Sequence, residues 1–164
     1  MASVPTSEQT AELLGRLLVS KGHTLATAES CTGGMIGAVL TAIPGSSHWF
    51  KGGIIAYDNT IKHSLLDVSE KVLEEYGAVS TQTASDMARG VKKKMNTTCS
   101  IAVTGIAGPD GGSNEKPVGL VHLCASCQNV YKTVTEVFPG DRRQVREQTV
   151  LKALECLMSL VSND

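Results

Sequence analysis

The chain of 164 residues is short of aromatic side chains, with one Trp, three Tyr and two Phe. So few rings leave little for base stacking on single strands. It has no excess of positive charge either. Fifteen Lys and Arg stand against sixteen Asp and Glu, a net charge of −1. The electrostatic drive of a phosphate-backbone binder is therefore missing, and no nucleic-acid partner is expected. No apolar run approaches the roughly 18 residues of a membrane span, so no membrane partner is expected. The start, MASVPTSEQT, lacks the basic and apolar regions of a secretory leader. The five cysteines, Cys31, Cys99, Cys124, Cys127 and Cys156, are odd in number and dispersed. They read as reduced thiols in a cytoplasmic protein. Cys124-Ala-Ser-Cys127 is a lone C-x-x-C without a second pair of ligands spaced for zinc, so it reads as two small residues near a strand end.

What is present is an ordinary globular mixture, 41% apolar and 19% charged. The length suits one domain over 1–164 with a core over about 7–160. Such a domain buries about 70% of its unfolded surface and needs no metal or disulfide to hold a core.

Periodicity sets out the elements. Thr6 and Gln9 have capping-box spacing ahead of a helix carrying Leu13, Leu14, Leu17 and Leu18, which stops at Gly22. Strands are expected at 24–28, 53–57 and 98–103. Helices are expected at 33–41, 60–66 and 69–76. Another carries the stripe Ala84, Met87, Ala88, Val91 and Met95. A turn-rich stretch fills 105–117. Segments 120–124 and 130–138 flank Gln128-Asn129 as a hairpin. A long helix with Val150, Leu154, Leu157, Met158 and Val161 closes the chain. Helices alternate with strands first and a hairpin follows. This predicts an α/β single-domain layered sandwich, a mixed sheet flanked by helices.

Three short apolar strands run into polar residues: Glu29-Ser30-Cys31-Thr32, Tyr57-Asp58-Asn59 and Thr104-Gly105. Ligands of open α/β sheets bind beyond the carboxyl ends of the strands. With 53–57 and 98–103 as parallel inner strands, Ser30, Tyr57 and Thr104 converge on one crevice. Two Gly-rich loops, Thr32-Gly33-Gly34 at a helix start and the segment from Gly105 through Gly108 to Gly112, are candidate anion cradles. Neither has the spacing of a nucleoside-triphosphate or dinucleotide loop. A serine nucleophile needs a base. Ser30, Ser46, Ser47 and Cys31 are candidate nucleophiles, and His48, His63 and Lys62 candidate bases. Arg142, opening the last helix, is a candidate phosphate fork.

The same residues carry a resemblance. AESCTGG (28–34), IPGSSHWFKGGIIAYDNTIK (43–62), GAVS (77–80), TGIAGPDGGSNEKPVG (104–119) and FPGDR (138–142) resemble the CinA-like family. More narrowly they resemble its carboxy-terminal domain, which occurs alone as a bacterial nicotinamide-nucleotide amidohydrolase. Larger members add an amino-terminal domain for which this length leaves no room, so its pyrophosphatase activity is not implied. The resemblance implies hydrolysis of the carboxamide of nicotinamide mononucleotide to nicotinate mononucleotide and ammonia, by serine and lysine, without metal or cofactor. It makes Ser47 the nucleophile, with Ser30 the second choice, Lys62 the base and Tyr57 an assistant. Thr104, with Ser30, would line the reacting amide. Arg142 and the loop with Gly105 and Gly108 would hold phosphate. The partner is then a small nucleotide, and self-association stays open. Two other classes stand beside this reading: a non-catalytic nucleotide-sensing or competence-related protein of the same fold, and a thiol enzyme using Cys31.

Overall fold

The computed structural model describes residues 5–164; the first four residues of the segment read as lacking a leader lie outside them. Helix α1 (Ser7–Lys21) begins at the Thr6–Gln9 capping box, in which Thr6 Oγ1 accepts from the Gln9 amide at 3.2 Å. It ends at Gly22, whose φ of 69° suits a residue without Cβ. The strands are β1 (Leu25–Glu29), β2 (Phe50–Ile55), β3 (Cys99–Gly105), β4 (Leu120–Cys127) and β5 (Val130–Val137). The remaining helices are α2 (Met35–Thr41), α3 (Asn59–Leu66), α4 (Glu70–Tyr76), α5 (Thr81–Met95) and α6 (Arg142–Ser162). The sheet order is β2-β1-β3-β4-β5. The first three strands are parallel, and β4 and β5 join antiparallel. The expected mixed α/β sandwich is therefore present, with helices on both faces.

Alternation along the strands builds the two faces. Leu25, Cys99, Ile101, Leu123 and Ala125 meet α1, α2 and α6. Ala26, Ala28, Ala102 and Cys124 meet α3 and α5. The second face is made of short side chains, so α5 lies close. Ser100 Oγ reaches the Ala88 carbonyl of α5 at 2.9 Å. Gly90 of α5 serves a similar approach: a Cβ there would come within 1.8 Å of the Leu66 carbonyl oxygen at the end of α3. Helix propensity alone favours alanine over glycine by about 1 kcal/mol. The clash reverses that sign. Gly90→Ala should destabilise by about 1–3 kcal/mol, lowering Tm by about 2–4 °C per kcal/mol. A thermal melt checks this, and an unchanged or higher Tm would show that α3 yields freely.

Three expectations require correction. The strand expected at 53–57 is β2, at Phe50–Ile55, and it is an edge strand, not an inner one. Its start is set by pairing with β1, where the Leu25 amide donates to the Trp49 carbonyl at 2.7 Å. Gly52 sits there at φ 143°, and its missing side chain hides the strand from a propensity reading. The helix expected from 33 starts at Met35, because Gly33 and Gly34 take positive φ values and form a turn. The hairpin is longer than expected on its first arm and turns at Gln128-Asn129. Among the described residues no helix is long and apolar enough to cross a membrane. All five cysteines are free and buried.

Candidate active site

The parallel strands β1, β2 and β3 deliver their following residues to one crevice of about 270 Å³ at the carboxyl end of the sheet. Ser30, Tyr57, Lys62, Thr104, Gly108 and Arg142 all line it. Ser30 follows β1 directly and is 7% exposed. Its amide donates to the Val103 carbonyl at 3.1 Å, which ties the serine to the adjacent strand. Beyond β2, Asp58 caps α3 by accepting from the Thr60 amide at 2.8 Å. The Thr60 hydroxyl is the main cause holding the Asp58 carboxyl below its ordinary range. One turn into α3, Lys62 points back under the sheet end.

Lys62 is 1% exposed. Its Nζ lies 3.1 Å from Ser30 Oγ and 3.0 Å from the Tyr57 carbonyl oxygen. The amine thus meets a hydroxyl and a carbonyl, not a carboxylate. Burial pulls its pKa below the ordinary 10.5, and nearby Asp58 opposes that shift less strongly.

Thr104 is the penultimate residue of β3, and its Oγ1 donates to the Ala78 carbonyl at 2.7 Å. Lys116 Nζ holds the same loop by donating to the Tyr76 and Val79 carbonyls at 2.7 and 2.8 Å. These bonds fix one wall of the crevice. On the other wall Arg142 Nη1 donates to the Gly108 carbonyl at 2.8 Å and Nη2 to the Tyr57 hydroxyl at 3.3 Å. Two of its five N–H groups are thereby engaged and the rest stay available.

The other expected residues fall elsewhere. Ser47 is exposed in a single 3₁₀ turn (Ser46–His48) that precedes β2. Lys62 follows β2, and a strand of six residues separates the two by about 20 Å. The expected Ser47–Lys62 pair is not formed; Lys62 meets Ser30 instead. The Thr32-Gly33-Gly34 loop is not open to an anion from solution, because Glu29 fills it. That carboxylate accepts from Thr32 Oγ1 at 2.6 Å and from the amides of Gly34, Ile36 and Gly37 at 3.1, 3.0 and 2.8 Å. Thr32 and Gly33 therefore shape the turn behind Ser30 and do not line the crevice. His48 and His63 are exposed and bond to the Gly45 and Val68 carbonyls. Cys31 borders the crevice, but burial pushes its thiol up to about 12, which removes the thiolate a cysteine enzyme needs near neutral pH.

Sequence reasoning missed Arg146. It donates from Nε and Nη2 to the carbonyls of Cys31 and Thr32, both at 3.0 Å, and so anchors the segment after Ser30 to α6. Its i, i+4 spacing from Arg142 on one helix face was the available signal.

Comparison with known proteins agrees with this architecture. The CinA C-terminal domain family matches residues 7–161. The chain is 50% identical over 155 residues, 93% of its length, to a CinA-like protein of Parasynechococcus marenigrum (strain WH8102). It spans 37% of that relative's length. The crystal structure of the competence/damage inducible protein CihA from Agrobacterium tumefaciens superposes with a TM-score of 0.92 at 41% identity, covering 98% of this chain and 99% of that one. A competence-damaged protein (CinA) superfamily member from Enterobacter cloacae gives 0.94 at 30% identity, covering 98% and 95%. With its family match running from the first turn of α1 to the last of α6, the chain belongs to the CinA C-terminal domain family.

Proposed function

We propose that the protein hydrolyses the carboxamide of nicotinamide mononucleotide, with Ser30 as nucleophile and Lys62 as general base. The observation that carries this reading is the buried 3.1 Å contact between Lys62 Nζ and Ser30 Oγ at the floor of the crevice. A serine becomes nucleophilic when an adjacent base takes its proton. A lysine serves as that base when it is neutral, and burial lowers its pKa in that direction.

The neutral Lys62 amine accepts the Ser30 proton as Oγ attacks the carboxamide carbon. The tetrahedral adduct collapses with transfer of that proton to the departing nitrogen, which leaves as ammonia. Ser30 then carries the nicotinate nucleotide as an ester. Water attacks this ester, Lys62 takes the water's proton and returns it to Ser30 Oγ, and nicotinate mononucleotide departs. The Ser30 amide is committed to Val103, so it is not an oxyanion donor. The Thr104 hydroxyl proton is committed to Ala78. Its oxygen keeps acceptor capacity for a carboxamide N–H. No metal or cofactor enters these steps.

Ammonia release from nicotinamide mononucleotide, nicotinamide riboside and nicotinamide, assayed side by side, tests the activity. The mononucleotide should be preferred. No release from any of the three would favour the nucleotide-sensing alternative.

Arg142 supports recognition of the phosphate, since a guanidinium with free N–H groups at the crevice rim suits that anion. Losing a charge-assisted hydrogen bond costs about 1.5–3 kcal/mol, roughly ten- to a hundredfold in affinity. Arg142→Ala should therefore raise KM for the mononucleotide by that factor, with a smaller change in kcat. An unchanged KM would place the phosphate elsewhere.

A further inference from the structure

At the end of the sheet away from the crevice lies a cluster of ligating side chains that the proposed reaction does not use. His23 precedes β1, Cys99 opens β3 and Cys127 closes β4. Cys99 and Cys127 face each other directly across the antiparallel β3–β4 ladder. All three residues are buried, and a ring nitrogen of His23 and the two Sγ atoms lie within 4.8 Å of one another. Cys127 is here paired with a residue 28 positions away. Its sequence neighbour Cys124 faces the opposite side of the sheet, among the α3 and α5 contacts.

The distances suit a metal. Zinc binds thiolate sulfur at about 2.3 Å and imidazole nitrogen at about 2.0–2.1 Å, which makes a tetrahedral S···N edge about 3.6 Å long. Cys127 Sγ lies 3.6 Å from His23 Nε2. Asp164 Oδ2 is 2.9 Å from the same nitrogen, a partly exposed partner of the ring outside the cluster of three ligating atoms.

The Thr98 hydroxyl backs the ring on its other side. The Thr98 hydroxyl donates to the Thr24 carbonyl at 3.2 Å and accepts from the Thr24 amide at 2.9 Å. Its oxygen also lies 3.1 Å from His23 Nδ1, placed to accept from Nδ1–H when Nε2 is bound to a metal. His23 Nε2 faces a carboxylate oxygen at 2.9 Å and a sulfur at 3.6 Å.

We propose that His23, Cys99 and Cys127 form a buried three-ligand site for a thiophilic divalent cation of the zinc class. The fourth tetrahedral position falls to water or to Asp164, whose carboxylate would move from the ring nitrogen onto the ion. The site joins the segment before β1 to the ladder of β3 with β4. Thr98 orients the imidazole from behind, as the outer partners of metal-bound histidines do. The length of β3 separates the site from Thr104, so the proposal is independent of the reaction in the crevice.

The test uses reduced full-length protein stripped with a chelator and titrated with Co²⁺ as a spectroscopic probe. One equivalent should bind, with a thiolate-to-cobalt charge-transfer band and the intense visible bands of tetrahedral cobalt. Zn²⁺ should displace it and raise Tm. Cys99→Ser and Cys127→Ser should each lose the charge-transfer intensity, whereas Cys124→Ser should keep it. Thr98→Val should weaken binding by about ten- to a hundredfold. The wild-type spectrum decides even if a variant fails to fold. Absence of stoichiometric binding by the reduced protein would overturn the proposal, leaving a His23–Asp164 ion pair or an oxidised Cys99–Cys127 bridge as the content of the cluster. Binding that survives both cysteine substitutions would overturn it equally.

Discussion

Ser30→Ala should remove ammonia release from nicotinamide mononucleotide, while Ser47→Ala should leave it within a fewfold of the parent. The expected loss at Ser30 is at least the 10²–10⁴-fold that an acid–base partner typically contributes, because without Oγ there is no acyl step for the base to assist. The contrast follows from placement. Ser30 is buried beside Lys62 Nζ at the carboxyl end of β1. Ser47 is exposed at the opposite end of β2. Melts should be similar for all three proteins, since the Ser30 backbone amide keeps its bond to Val103. A nicotinate ester trapped by rapid acid quench should appear in the parent and in Ser47→Ala, and be absent from Ser30→Ala. Loss of activity in Ser47→Ala with retention in Ser30→Ala would reverse the assignment.

The reason Ser47 attracts attention in the sequence, and Ser30 holds the lysine in the fold, lies in how parallel strands pair. Ser47 is the nearer to Lys62 along the chain and stands in a prominent turn cluster. Parallel pairing of β1 with β2 aligns their carboxyl ends, however, and so brings residue 30 to residue 62 across 32 positions. Local pattern finds the ends of strands, and it found Ser30, Tyr57 and Thr104 as a set. It does not say which strand lies at an edge, and β2 is at one because order is a property of the whole sheet. Helices with strong caps and apolar stripes, such as α1 and α5, were legible because their signals are contained in one turn or one face. The anion expected at Thr32-Gly33-Gly34 exists, but it is the protein's own Glu29. A carboxylate that folds forward onto the next helix start competes with any external anion, and sequence spacing does not rank the two. The thiol pair Cys99 and Cys127 was likewise hidden, because a cross-strand neighbour has no fixed separation in sequence.

Lys62→Met should also abolish turnover, by about 10²–10⁴-fold, and should change how stability depends on pH. The double variant with Ser30→Ala should be little worse than either single one, because residues that act as a unit lose their function once. The pH effect follows from the direction of the pKa shift. Burial of Lys62 disfavours its charged form, so its folded pKa lies below the ordinary 10.5 that it recovers on unfolding. Between those two values the unfolded chain binds more protons than the folded one. Stability contributed by this group therefore rises with pH through that window and is flat above about 10.5. Below the folded value both states are charged, and the folded state bears the full cost of burying the ammonium. Methionine keeps the apolar stem and carries no charge, so the variant lacks this dependence. The Tm of the parent minus that of Lys62→Met should thus grow more positive as pH rises toward 10.5. Thermal melts of both proteins across the alkaline range measure that difference directly. A difference that stays flat, or shrinks with rising pH, would mean that Lys62 stays charged in the fold, and a charged ammonium has no lone pair to accept the Ser30 proton.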